Sequence, residues 1–442
     1  MEKVFINKTP AREALKMIME MGADAVNISY SEEQTVRLSL LNGELDHLQS
    51  SGGASMYFQI FVDHKYGTFS TNKMEKRELE PFLRKAIEST RFLTEDACRT
   101  LPDKDRYYKA KSTDPDLKQF DENYEDISIE MKEDFLREVA SKIDSNDKRL
   151  VSSTTEYEDS FNKEFIIDSQ GFEGTNIQTY YAISTECSIL AEDGSRPQNW
   201  WYNSAIRFKD LKKDSAVKAF DRTVSMVNGK TLESGKYTTV IENVVSNQLV
   251  SPIIQALNGN AIQQKVSFLQ DKLGEQVFPE SVTLSDNPFE VGAMGARYFD
   301  DEGVATKSRK IIDKGVLTTY FINTYVSNKL SIPATIEGIS IPELSPLGKS
   351  NKEEIIKEIG TGILITGFNG GNCNGSTGDF SYGIEGYYFV DGKIVEPVKE
   401  MNMTGNIVNL WHDIRHIGSD FRSGCRWRIP TLAFDNVNIN GK

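Results

Sequence analysis

The stretch TGFNGGNCNGSTGDFSYG, residues 366–383, decides how the second half of the chain is read. It holds six glycines in eighteen residues, so its backbone has access to conformations that side chains forbid. Ile363–Thr366 before it and Tyr387–Val390 after it are β-branched or aromatic, which predicts strands joined through tight turns. No G-K-[ST] follows and no G-x-G-x-x-G opens a helix, so the glycines are not a nucleotide loop. Asn369, Asn372, Asn374, Ser376, Thr377 and Asp379 set many hydrogen-bonding groups among them. Two readings stand side by side. The loop lines a cleft or binds an extended peptide backbone, or its side chains only close Asx-type turns between strands. Cys373 has no histidine nearby in sequence to activate it as a nucleophile.

Tyr237–Ile241 and Val316–Ile322 read as further strands, which together suggest a closed or nearly closed β core. One helix interrupts them. Ser350 and Glu353 have capping-box spacing, Ile355, Ile356 and Ile359 form its apolar stripe, and Gly360 ends it. The first half alternates. Thr9 as N-cap, Pro10, and Ala11, Ala14, Leu15 and Ile18 mark a helix that stops at Gly22. Strands follow from Val26 to Phe69, turned at Asn42-Gly43. Helical spacing returns at Leu79–Ile87 and Met131–Ile143. Residues 100–125 between them are charged and aperiodic, a long surface connection, and 151–208 are strands with turn points at Gly171 and Gly174. The expected fold is α+β: an N-terminal mixed helix and sheet domain over 1–215, a connection over 216–235, and a β-rich, barrel-like domain over 236–442.

Composition removes several function classes. With 51 basic and 65 acidic residues the net charge is −14, unlike a face built to hold nucleic-acid phosphates. Four scattered cysteines, Cys98, Cys187, Cys373 and Cys425, make neither a disulfide framework nor a thiolate zinc site. Met1–Lys8 is too poor in apolar residues for a signal h-region, and no apolar run is long enough to span a bilayer. A cytoplasmic location without membrane contact is the expectation.

Two sites deserve weighing for metal. His412 and His416 have the i, i+4 spacing of an H-E-x-x-H zinc helix. However, Asp413 is a methylene shorter than the glutamate base, and no third ligand follows at a typical distance. The competing reading is a solvated helix face. Asp300, Asp301 and Glu302 before Gly303 lack the alternating oxygens of a calcium loop, and a polar turn accounts for them equally well. Arg422, Arg426 and Arg428 around Trp427 form a small basic and aromatic spot, suited to contacts within the chain or with another protein.

The Gly-rich block resembles the signature of the TldD/PmbA family. Glu396-Pro397-Val398, Thr404-Gly405-Asn406, Asp300–Gly303 and Lys314–Leu317 match the same family, with a weaker match at Gly22–Asp24 and Asn42–Leu45. The resemblance implies one of two types: a TldD-like peptidase with a His-Glu-x-x-x-His zinc helix, or a PmbA/TldE-like partner without it. Counted back from Gly274-Glu275-Gln276-Val277, the two histidine positions hold Val250 and Gln255, and the glutamate position holds Ser251. Valine has no donor atom and serine is no carboxylate base. Pro252 should disturb that helix unless the helix restarts there. The family's cysteine ligand is not carried onto Cys425, whose flanks differ.

The resemblance therefore implies a non-catalytic subunit without its own cofactor. Zinc is expected in a TldD-like partner, peptides or unfolded proteins are the substrates, and a homodimer is possible when the chain is alone. It also implies a link to DNA gyrase, which the acidic charge would route through protein contacts. The peptide-channel candidates are Asn369, Gly370, Gly371, Asn372, Asn374, Thr377, Gly378 and Asp379. The alternatives are a stand-alone metal-dependent hydrolase using His412/His416 or Asp300/Asp301/Glu302, and a non-proteolytic protein that tunes gyrase or a toxin system.

Overall fold

The computed structural model describes residues 5–144 and 146–442; residues 1–4, part of the segment read for a leader, lie outside it. The chain begins with α1 (Thr9–Glu20), β1 (Ala25–Leu41), β2 (Glu44–Val62), β3 (Lys65–Thr71), α2 (Lys76–Arg91) and α3 (Ile129–Ala140). Then come β4 (Leu150–Asp168), β5 (Glu173–Ile189), β6 (Gln198–Ala205) and α4 (Ser215–Ser225). The six strands form one antiparallel sheet in the order β3-β2-β1-β4-β5-β6.

β1 shows how one strand serves two helix layers. Its even-numbered residues share a face, because side chains alternate along a strand. Val26, Ile28 and Tyr30 pack with Ala14 and Ile18 of α1 and Leu83 of α2. Farther along, Val36, Leu38 and Leu40 pack with Phe135 and Val139 of α3 and Ala216 and Ala219 of α4. Asn42 and Gly43, both at positive φ (51° and 84°), make the two-residue turn their types favour. Beyond Met56, β2 pairs with both β1 and β3, but its stretch Glu44–Ser55 has only β1 beside it among the described residues.

The second half continues with β7 (Gly235–Ile241), α5 (Asn247–Ala256), α6 (Gly259–Gln263), β8 (Leu284–Asp286), β9 (Arg309–Asp313), β10 (Val316–Leu317), α7 (Thr324–Leu330) and β11 (Pro342–Leu344). It ends with α8 (Lys352–Ile359), β12 (Gly362–Cys373), β13 (Asp379–Val390), β14 (Lys393–Asn406), α9 (Ile407–His412), β15 (Ile414–Ile417) and β16 (Leu432–Asn440). The order β14-β13-β12-β7-β16, with β16 pairing back to β14, closes a five-stranded barrel. Trp411, Phe278 and Phe434 lie in its core cluster, the tryptophan ring 5.5 Å from Phe434. The α+β class and the barrel agree with the sequence reading. No helix among the described residues is long and apolar enough to cross a membrane.

Local details correct the sequence reading. Lys8, not Thr9, precedes the first helix, and no side chain caps it. The capping box at α8 is Asn351 with Glu354, one residue later than read, because Asn351 takes the extended conformation an N-cap needs. Only Val316 and Leu317 of the expected strand 316–322 pair in a sheet. Gly174 lies inside β5 rather than in a turn. Helix α4 occupies the start of the 216–235 stretch read as connection, since its alanines fit against β5. Residues 100–125 are irregular yet not merely superficial: Leu101, Tyr107, Leu117 and Tyr124 are buried. Tyr107 packs on Phe172 and donates its hydroxyl to Asp168, tethering the segment to the sheet.

Candidate functional site

The Gly-rich segment is the hairpin β12–β13, and its tip is held by the chemistry of a turn. Asn374 Oδ1 accepts the amides of Ser376 (2.9 Å) and Thr377 (3.3 Å). Thr377 donates its hydroxyl to Asp379 at 2.8 Å. Asn406, at the end of β14, donates to the Thr377 carbonyl (2.8 Å) and to Asp379 (2.9 Å). The hydrogen bonds from Asn406 and Thr377 hold the Asp379 carboxyl below its ordinary range. Asn369 donates to Glu385 at 3.2 Å. Four of the candidates, Asn374, Thr377, Gly378 and Asp379, thus belong to one closed turn.

Closer to the barrel, the ladder slips between Phe368 and Gly371. Gly371 (φ 92°) is required there: a Cβ would lie 2.0 Å from the Ser381 carbonyl oxygen. Gly370 has open space around it, and Asn372 is exposed. The structure brings the candidates together on one hairpin, whose tip is tied to the 266–268 loop through the Phe268 amide on the Gly375 carbonyl (2.9 Å), while the bulged shoulder at Gly370 and Asn372 stays exposed.

Neither metal alternative is brought together as a site. Helix α9 ends at His412 and His416 lies on β15, so the pair does not share a helix face. Pairing of β15 with β16 outweighs the helical spacing. Asp300, Asp301 and Glu302 form the polar turn. Buried Asp300 accepts the amides of Glu302 (3.1 Å) and Val304 (2.9 Å), Glu302 accepts from Thr324, and Asp301 points to Arg297 at 3.7 Å. The carboxylates take separate partners, and among the described residues no group of three or more His, Cys, Asp or Glu is arranged to hold a metal ion.

Glu337 stands next to this turn. Burial, then the charges of Asp301, Asp300 and Glu302, push its carboxyl up to about 7. A carboxyl raised on folding stabilises the fold at low pH and loses that contribution as pH rises through its folded value. Glu337→Gln is therefore expected to melt higher than the parent near pH ~8 and together with it near pH ~4, as read by thermal melts across that range. Equal melting at both ends would refute the assignment.

Zinc does not fit helix α5. Val250 is 1% exposed in the barrel core, and Ser251 Oγ accepts from Gln255 Nε2 at 3.2 Å. The helix runs on through Pro252, contrary to the expected disturbance, because Leu249, Val250 and Ile253 around it are buried in the core. Cys425 Sγ lies within hydrogen-bonding distance of the carbonyls of Arg422 and Trp427 (3.4 and 3.3 Å), and burial pushes its thiol up.

With this geometry in view, similar proteins place the chain. The PmbA/TldA metallopeptidase C-terminal domain matches residues 234–441, and the central domain of the same group matches 122–227. A solved structure from Bacteroides thetaiotaomicron, described as a modulator of DNA gyrase, is 40% identical, with a TM-score of 0.95 and 99% of each chain covered. The chain belongs to the PmbA/TldD family. The metalloprotease PmbA of Escherichia coli O157:H7 is 24% identical over 97% of this chain and 96% of that protein. TldE from Thermococcus kodakarensis shares the fold, at 17% identity, a TM-score of 0.82 and coverage of 98% and 100%. Membership supports a role related to proteolysis.

One feature escaped the sequence reading. A cleft of about 520 Å³ lies between β6 and the loop 420–424, lined among others by Trp201, Arg207, Lys212, Glu242, Asn243 and Arg422. Its residues come from five separated segments, so no local motif marks it. The only trace in sequence was Arg422 in the basic, aromatic spot.

Proposed function

We propose that this chain is the metal-free, PmbA/TldE-like subunit of a cytoplasmic TldD/TldE-type peptidase, helping to enclose peptides or unfolded proteins for a zinc-bearing partner. The observation that carries this reading is helix α5, which offers Val250, Ser251 and Gln255 where the zinc-binding members have two histidines and a glutamate. A buried valine supplies no donor. The Gly-rich hairpin, with its open shoulder at Gly370 and Asn372, is the part we assign to the substrate channel.

Co-purification with a TldD-like subunit, followed by peptide cleavage with and without this chain, tests the pairing. Cleavage by the partner that is unaffected by this chain would sink it. The hairpin has its own test. Asn374→Ala is expected to lose stability by about 1 kcal/mol, because it removes turn bonds. Asn372→Ala is expected to leave melting unchanged and slow cleavage in the reconstituted complex. Unchanged cleavage in Asn372→Ala would make the hairpin purely structural.

A second reading draws on the description of the Bacteroides thetaiotaomicron relative as a gyrase modulator. At a net charge of −14, such an effect would run through protein contacts, and a supercoiling assay with and without the chain separates it from proteolysis.

A further inference from the structure

The cleft between β6 and the loop 420–424 carries an uneven charge account. Its carboxylates are largely engaged within the chain. Glu242 is held by Arg222 and Lys352, both at 2.8 Å. Asp420 accepts from the Thr431 amide (2.9 Å) and hydroxyl (2.8 Å) and from the Lys352 amide (3.1 Å). Glu353, on the exposed rim, lies 3.5 Å from the Lys352 ammonium. Lys218, among the cations, is paired with Asp214 at 2.9 Å.

Three other cations facing the cleft have no carboxylate partner within 4.0 Å among the described residues: Arg207, Lys212 and Arg422. Lys212 reaches only the Ser423 hydroxyl, at 3.5 Å. Arg422 lies over the rings of Trp201 (4.8 Å) and Tyr202 (4.2 Å) and gives one bond to the Tyr202 carbonyl, while its Nη1 makes none. Against these three stand the exposed Asp210 and, on the side of Arg207, the charge of Asp116, beyond ion-pair distance. In a chain with an excess of acids, three cations without an ion pair around one cleft leave a local positive potential that attracts an anion from outside.

We propose that this cleft binds the terminal carboxylate of a peptide. A guanidinium held beside the Trp201 and Tyr202 rings suits a planar, singly charged carboxylate. A doubly charged phosphate would meet Asp210 and Glu353 at the rim. The walls also suit a chain end. Ser204 donates to the Gly424 carbonyl at 2.6 Å and so ties β6 to the loop. Asn243 gives its amide N–H to the Asp420 carbonyl, leaving its side-chain oxygen for a peptide N–H.

Calorimetric titration of the full chain with a short peptide as free acid, the same peptide as C-terminal amide, and inorganic phosphate tests this. The free acid is expected to bind saturably and the amide about tenfold or more weakly, since charge-assisted bonds are lost. Arg207→Gln and Arg422→Gln should each weaken the free acid about tenfold while melting stays close to the parent. Should Arg422→Gln fail to fold, Arg207→Gln, at a half-buried position, decides. Amide binding equal to the acid, phosphate binding as tightly as the peptide, no saturable binding, or unchanged affinity in Arg207→Gln would each overturn the assignment. Binding is read on the chain alone, so a failure of the partnership proposed above leaves this outcome unaffected.

Discussion

Replacing Asp159 with alanine is expected to cost about 3–5 kcal/mol, the range for breaking a buried ion pair from one side. Asp159 on β4 is fully buried and meets the Lys132 ammonium at 2.7 Å. It also accepts the hydroxyls of Tyr124 and Tyr157, each at 2.7 Å. Removing it strands the ammonium of Lys132, a residue 4% exposed, and leaves two phenols without their acceptor. Because whole domains are stable by only about 5–15 kcal/mol, the N-terminal sheet should unfold at markedly lower urea. Replacing the pair together, Lys132→Met with Asp159→Leu, should restore much of the loss, since the penalty comes from the orphaned charge. An unfolding free energy for Asp159→Ala within about 0.5 kcal/mol of the parent would refute this account.

Glu242→Ala is expected to be of the same order, about 3–5 kcal/mol near neutral pH. The side chain lies at the end of β7, 4% exposed, and joins α4 through Arg222 and α8 through Lys352. Arg222 adds bonds to the Thr366 carbonyl (3.0 Å) and Asn199 (3.2 Å), so the cluster also ties β12 to β6. Burial pushes this carboxyl up, but Arg222 and Lys352 outweigh burial and hold it below its ordinary range. A depressed carboxyl stabilises above its unfolded pKa, about 4.3, and loses that contribution as pH falls through the folded value. The gap between parent and Glu242→Gln should therefore be widest near neutrality and close in acid. Melting curves at several pH values measure it, and a gap independent of pH would count against the ion-pair explanation.

Much of the fold was legible because local rules act over a few residues. Asn42-Gly43 demanded a tight turn, and both residues adopt positive φ. Gly360 stops α8 at φ 81°, and the strand read from Val26 onward is β1. Ser350 and Asn351 are both able to cap, so sequence placed the box only to within one residue; backbone geometry chose Asn351. The candidate hairpin was visible through its glycines, yet which of its polar groups stay free was not. Asn406 is 27 positions beyond Asp379 and neutralises much of the tip's hydrogen-bonding capacity.

Sequence by itself determined many of the secondary elements, the β-rich character of the second half, the family and the absence of donor atoms at Val250. These follow from side-chain shape, backbone freedom and chemistry at single positions. Tertiary structure alone decided that His416 sits in a strand beside β16, that β14 and β16 meet to close the barrel, and that Trp201, Arg207, Glu242 and Arg422 surround one cleft. Each of those outcomes depends on pairings between residues far apart in the chain, where burial and ladder hydrogen bonds outweigh the local preference of any one segment.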